Sequence, residues 1–288
     1  MNRFDKLLSV ADRGMNILEI GPSFNPVAPK SAGWHTTVVD HATREELIEK
    51  YRRHSGVDTS RIEPVDVVWT DGRLVDALPL ELRGRFDLAI ASHVIEHVPD
   101  LIAFLGSLEL LLQENGTISL AVPDKRFCFD WAKSLSSTGQ VLNAHLLRAT
   151  RHSRVTAFDH IAYSMSNDGE VAWGQWPTGA LRFIHSLQEA KDAFESTHDV
   201  HSGPYLDYHA WHFTPSSFRL LVLELQYLGF LDCHLSKLYD TEGCEFIAIL
   251  QKGKNIPETH EELNKERLEL LTRSLVEVSE QCNLLPGA

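Results

Sequence analysis

Over the first 125 residues the apolar positions fall into short, nearly unbroken runs, each ending in an acid, a glycine or a polar turn. Runs that are apolar on both faces suit parallel strands covered by helices on either side; a sheet with one wet face would alternate apolar and polar residues. Five such strands are predicted, at residues 16–20, 36–39, 65–70, 86–91 and 117–122. Helical signals lie between them. Residues 3–12 read as a short amphipathic helix closed by Gly14, and residues 43–46 match a capping box that starts a helix to about His54. A strongly apolar helix covers about 100–113 and stops at Asn115 and Gly116. This alternation builds a parallel sheet with right-handed crossovers.

The alternation stops after residue 123. Residues 124–213 mix aromatic residues, histidines and turn formers, with short helical stretches only near 141–151 and 186–195. They are expected to form an inserted substrate or cap region over the sheet edge. Order resumes at Thr214 and Pro215, an N-cap with a first-turn proline, followed by a helix carrying Phe218, Leu221, Val222, Leu225 and Leu228 to Gly229. Two strands separated by a turn at Gly243 then close a domain spanning 1–252. Residues 253–288 form a charged helical tail. In it Leu268, Leu271, Leu275, Val278, Cys282 and Leu285 alternate spacings of three and four. Such a row either packs the helix on its own domain or forms a homodimer seam, and it is under three heptads long.

The formal net charge of −13, without any basic stripe, argues against nucleic acid as the main partner. Cys128, Cys233, Cys244 and Cys282 show no C-x-x-C spacing and read as reduced thiols. The first 14 residues lack the apolar core of a secretion signal, and no run is long enough to cross a bilayer. A cytoplasmic protein without a membrane partner is the expectation.

The loop after the first strand, L-E-I-G-P-S-F-N-P-V-A-P, narrows the ligand. A dinucleotide site needs G-x-G-x-x-G opening a helix whose N-terminus faces the pyrophosphate. Here Ser23 and Pro26 stand where glycines would fall, and the prolines leave room for little helix before the second strand. What remains is Glu19, the permissive Gly21, Asp40 at the end of the second strand, 19 residues beyond Gly21, and Asp71 at the end of the third. All lie on the carboxyl edge, where open α/β sheets bind ligands, and Asp40 is placed as a ribose-binding carboxylate. Carboxylates without a phosphate cradle suit a cationic nucleoside such as S-adenosylmethionine.

The stretches I-L-E-I-G-P-S-F-N-P, V-V-D, W-T-D-G, F-D-L-A-I-A-S-H-V-I-E-H-V-P-D and I-S-L-A-V-P-D-K-R resemble, in order and spacing, the motifs of class I S-adenosylmethionine-dependent methyltransferases. The resemblance covers about 14–125 and 214–252. It implies an α/β, Rossmann-like, doubly wound seven-stranded sheet with its last strand antiparallel, and S-adenosyl-L-methionine as cofactor. By position, Glu19 and Gly21, with Pro22 and Ser23 of the same loop, would line the methionine half. Asp40 would accept the ribose hydroxyls, Asp71 would face the adenine amino group beside Gly72, and Ser92 and His93 would border the reacting methyl.

Methyl transfer to a hydroxyl also needs a base, and His93, His97, His209 and His212 are the candidates, since imidazole titrates near neutral pH. His198/His201 and His209/His212 share an H-x-x-H spacing with Asp207 nearby, but no helix register supports it and Pro204 interrupts it. That segment therefore reads as a substrate wall, and no metal site is expected. Asp124, Lys125 and Arg126, leaving the fifth strand, are candidates to touch substrate. The function expected is methylation of a small molecule or saccharide, through oxygen. Its rivals are a non-catalytic binding or scaffolding protein on the same fold and an NAD-dependent sugar-modifying enzyme.

Overall fold

The computed structural model describes residues 1–54, 56–177 and 179–282, with the backbone alone of Cys282. Helix α1 (Arg3–Leu7), capped by Asn2, leads to strand β1 (Asn16–Ile20), and β2 (His35–Asp40) follows with only a single 3-10 turn between them. Helix α2 (Arg44–Tyr51) starts at Thr43, whose side chain and backbone exchange hydrogen bonds with Glu46. Then come β3 (Val67–Val68), α3 (Leu74–Ala77), β4 (Phe86–Ser92), α4 (Leu101–Leu111) and β5 (Leu112–Pro123).

The inserted region holds α5 (Thr138–Leu146), α6 (Arg154–Tyr163), β6 (Met165–Asn167), β7 (Leu181–Phe183) and α7 (Leu187–Ser196). Helix α8 (Pro215–Tyr227), strands β8 (Cys233–Glu242) and β9 (Glu245–Lys252), and helix α9 (His260–Cys282) complete the chain.

Two differences from the sequence pattern have simple causes. Strand β3 is two residues long rather than six, because it is an edge strand paired only with β2 through Val39–Val67 and Asp40–Val68. Helix α6 was not predicted: its sequence buries only Ala157 and Ala162, too small an apolar stripe to show a helical period.

The main sheet runs β3-β2-β1-β4-β5-β9-β8. Strands β1 to β5 pair in parallel, and β9, the last strand, lies antiparallel between β5 and β8. Alternate residues serve opposite layers. Leu18 and Ile20 face the large core formed with α4 and α8, while Ile17, Leu88 and Ile90 face the smaller one under α1. Among the described residues no helix is long and apolar enough to cross a membrane.

Helix α9 packs on α8 through Leu263 and Leu270 against Leu223, with Arg267 bonded to Glu224 at 2.7 Å. The packed face is not the predicted row. Leu268, Leu271 and Leu275 are exposed and Val278 is half-buried, while the side chain of Cys282 and all of Leu285 lie outside the described residues. The face that packs repeats as Leu263, Leu270, Ser274 and Gln281, a heptad row that its polar members hide in the sequence.

The strand order reverses at β1, so the crevice between the carboxyl ends of β1 and β4 is the topological switch point. The loop bordering it is held by Glu19. Its carboxylate is 2 % exposed and accepts the N–H groups of Val27 at 2.6 Å and Ala28 at 3.1 Å, while Thr36 Oγ1 donates to Ala28 O at 2.6 Å. Burial pushes the Glu19 carboxyl up to about 7, against the pull of the two N–H groups. Between the unfolded value near 4.5 and this one, the native state holds a proton that the unfolded chain has released. Stability is therefore full at low pH and falls as pH rises through that window, by on the order of 3 kcal/mol. Glu19→Gln removes this dependence, so urea unfolding at pH 5 and pH 8 is expected to show a clearly smaller loss for the variant than for the native chain. Equal losses would refute the protonated carboxyl.

Candidate active site

A cleft of about 1720 Å³ opens at the switch point and runs under the inserted region. Its floor begins with Gly21 and Pro22. Gly21 takes φ +63°, and a Cβ there would stand 3.1 Å from Val94 Cγ2, so the backbone is brought close to the cleft by a residue with no side chain. Ser23 follows at φ +50°. Its N–H donates to Asp40 Oδ2 at 2.9 Å, and its Oγ is buried without a hydrogen-bond partner. Asp40 is buried at the tip of β2, and its other oxygen lies 2.7 Å from His41 Nδ1. Glu19, which the resemblance places beside the methionine half, does not line the cleft. Its side chain points into the loop it closes, because that loop's N–H groups have no helix to satisfy them.

Asp71 and Gly72 line the far end of the cleft. The Arg151 guanidinium, from the inserted region, grips Asp71 with Nη1–Oδ1 at 2.8 Å and Nη2–Oδ2 at 3.1 Å. That pairing, with the Gly72 N–H, holds the Asp71 carboxyl below the usual range. The contact spans the cleft from sheet to insertion.

At the end of β4, Ser92 and His93 form the middle of the cleft. His93 has φ +53°, unusual for a non-glycine residue and characteristic of functional sites. Its Nε2 is 2.6 Å from Glu245 Oε2 on β9, and its side chain is 37 % exposed. Arg3 of α1 holds the same carboxylate, Nε to Oε1 at 2.6 Å, and also donates to Ser92 Oγ. Burial disfavours the His93 imidazolium, yet the hydrogen bond it donates to Glu245 and the charges of Glu96 and Glu245 outweigh it and raise the group above its ordinary value.

His97 also lines the cleft. Its Nδ1 makes a close, off-axis contact of 2.8 Å with Asp207 Oδ1, and its Nε2 is 3.8 Å from Glu96 Oε1. Burial lowers it, but Asp207 and Glu96 prevail and raise it; Asp207 in turn is held down at about 2, chiefly by the His97 ring beside it.

The other two candidate histidines are placed elsewhere. His209 and His212 do not line the cleft. Both are turned toward the buried Asp130: His209 Nδ1 lies 2.6 Å from Oδ2, and His212 Nε2 lies 3.8 Å from Oδ1. Lys133 bonds the same carboxylate at 2.7 Å. Burial pushes the His212 imidazole down to about 3. A base must reach the acceptor, and these two rings face inward because Asp130 needs partners for its buried charge. Asp124, Lys125 and Arg126 are likewise buried off the cleft. Asp124 pairs with Arg126 at 2.6 Å, and Lys125 Nζ donates to Trp131 O and to Gln281 of α9. His198 and His201 are exposed.

Sequence reasoning missed Arg3, Arg151, Glu96, Asp130 and Glu245. Arg3, Arg151 and Glu245 meet their partners through long-range folding, and Asp130 meets its histidine the same way; Glu245, for example, lies 152 positions from His93. Glu96 was legible as an acid inside the apolar S-H-V-I-E-H turn.

A family model described as a methyltransferase domain matches residues 2–174. No curated protein matches the sequence. Among solved structures, a SAM-dependent methyltransferase from Methanosarcina mazei is 14% identical, with TM-score 0.43, over 88% of this chain and 100% of that one. The 1,6-didemethyltoxoflavin-N1-methyltransferase of Burkholderia thailandensis is 12% identical, with TM-score 0.42, over 87% and 76%. A Rhodobacter sphaeroides protein described as a zinc-dependent alcohol dehydrogenase is 16% identical, with TM-score 0.45, over 87% and 89%. Likeness this distant assigns no chemistry to the chain. The family model, in contrast, covers more than half of it, from α1 into the inserted region, and the chain belongs to the methyltransferase domain family, of the class I, S-adenosylmethionine-dependent kind that its strand-end motifs resemble.

Proposed function

We propose that this chain methylates a hydroxyl of a small polar acceptor, a saccharide or related polyol, with His93 as the base. The observation that carries the reading is the length of the cleft. It is continuous from Gly21 and Asp40 through Ser92 and His93 to Tyr205 and Asp207 of the insertion, and its volume of about 1720 Å³ exceeds what one small ligand needs.

The nucleoside end fits the cofactor on this chain's own terms. The buried Ser23 Oγ has no hydrogen-bond partner among the described residues, and Gly21, at φ +63°, presents bare backbone to the cleft. Asp40 stands at the strand tip as acceptor for the two ribose hydroxyls. No helix N-terminus follows β1, so a pyrophosphate would find no dipole there, which disfavours the dinucleotide reading. When bound, S-adenosylmethionine supplies a methyl group already activated on a sulfonium. The protein's part is alignment and exclusion of water, and such positioning lowers a bimolecular barrier by up to about 7–11 kcal/mol.

At the acceptor end, Tyr205 and Asp207 offer donors and acceptors that suit a hydroxyl-rich molecule. Glu245 accepts the Nε2–H of His93, which fixes the tautomer and leaves Nδ1 to take the hydroxyl proton. The resulting imidazolium is stabilised by Glu245, itself held in place by Arg3.

Calorimetry with S-adenosylhomocysteine tests the cofactor end. Asp40→Ala is expected to weaken binding by about 10- to 100-fold, the worth of one or two hydrogen bonds to a charged group, while NAD gives no heat. Silence of the native chain at millimolar ligand would favour the scaffolding reading instead. The acceptor end is tested with methyl-labelled cofactor and a panel of saccharides, the product linkage being read by NMR. His93→Asn, chosen because Asn tolerates left-handed backbone, is expected to lower kcat by about 10²- to 10⁴-fold with S-adenosylhomocysteine affinity retained. Methylation at nitrogen, or an undiminished kcat, would exclude this assignment.

A further inference from the structure

Behind the cleft wall, Glu96, His97 and His209 present three donor atoms within 4.8 Å of one another. We propose that they bind one divalent transition-metal cation of the zinc class, which staples the turn after β4 to the end of the inserted region.

Glu96 carries the argument furthest. It is 1 % exposed, and neither carboxylate oxygen has a hydrogen-bond partner among the described residues. A buried carboxylate is ordinarily paired, hydrogen-bonded or coordinated to a metal. Its neighbours at longer range are ring nitrogens, His93 Nδ1 at 3.6 Å and His97 Nε2 at 3.8 Å.

The imidazoles supply an independent sign. Metal-bound histidines generally turn their second ring nitrogen to a carboxylate or carbonyl, which fixes the tautomer and sharpens the ligand. The His209 ring does so here, and the His97 ring sets its Nδ1 against a carboxylate in a close, off-axis contact. His209 Nδ1 is 2.6 Å from Asp130 Oδ2 and His97 Nδ1 is 2.8 Å from Asp207 Oδ1, so each keeps Nε2 for the centre of the cluster. The backbone sets the same register: the Ala210 N–H donates to Glu96 O at 2.7 Å, and Tyr205 Oη donates to His97 O at 2.8 Å.

Two imidazoles and one carboxylate suit zinc and its transition-metal neighbours, whereas calcium and magnesium require oxygen donors. Bonds of this class place tetrahedral donors about 3.3 Å apart, so binding draws together three atoms that now lie within 4.8 Å of one another. Of the three ligands only His97 lines the cleft. The ion is thus a structural staple for the acceptor wall, and no step of methyl transfer runs through it. The proposal stands apart from the methyltransferase reading, since its test needs neither cofactor nor acceptor.

The test uses the full-length, tag-free chain, stripped with a chelator and titrated with Zn²⁺ against a competing indicator, and with Co²⁺ followed by visible absorption. One equivalent of Zn²⁺ is expected to bind and raise the thermal midpoint, and Co²⁺ is expected to give a single low-symmetry spectrum. Glu96→Gln should weaken Zn²⁺ binding by at least 100-fold. Asp207→Asn, which leaves all three ligands in place, should weaken it by about 10- to 100-fold. Failure of the folded native chain to take up one equivalent would overturn the proposal, as would unchanged affinity in Glu96→Gln. If Glu96→Gln does not fold, Asp207→Asn decides: its mostly exposed side chain is not needed for the core, and native-like affinity in that variant would also overturn the site.

Discussion

The two hydrogen bonds that Glu19 accepts from Val27 and Ala28 set the character of the whole cleft. In a dinucleotide-binding sheet the first strand runs into a helix whose amide groups face phosphate. Here a proline-rich loop replaces that helix, and its amides must find another acceptor. The buried carboxylate takes them. Once it does, the positive potential that would have faced the cleft is spent inside the loop, and the groups left at the sheet edge are Gly21, Ser23 and Asp40. A crevice so lined prefers a nucleoside without phosphates.

The second constraint is that the insertion after β5 is tied to the sheet edge at separated points. Arg151 reaches Asp71 beyond β3, Tyr205 and Asp207 reach His97 after β4, and Ala210 pairs with Glu96. The insertion has little core of its own, and its position over the cleft comes from these polar attachments together with the aromatic cluster of Phe213, Phe218 and Phe246 beneath it. Fold and site are therefore coupled: Arg151, Tyr205, Asp207 and His97, which hold the cap, also line the cleft.

The sheet was legible because parallel strands buried on both faces leave continuous apolar runs, and because Thr43, Asp100 and Thr214 announce helices through their own side chains. The strand-end positions of Gly21, Asp40, Ser92 and His93 followed from the same periodicity, whereas Asp71 lies three residues beyond the shortened β3. The roles of charged groups did not follow from it. Whether a carboxylate faces a ligand or a backbone depends on where unsatisfied amides lie, and Glu19 turned inward for that reason. His209 and His212 look equivalent to His93 and His97 in the sequence, but Asp130, buried among aromatics of the insertion, draws their rings away from the cleft. No local spacing encodes that pull.

The Arg151–Asp71 pair bridges the far end of the cleft with the Asp71 side chain largely exposed. An ion pair in contact with solvent contributes little net stability and is weakened by added salt. The tie it makes between the inserted region and the sheet edge is correspondingly light, and it loosens as the ionic strength of the surroundings rises.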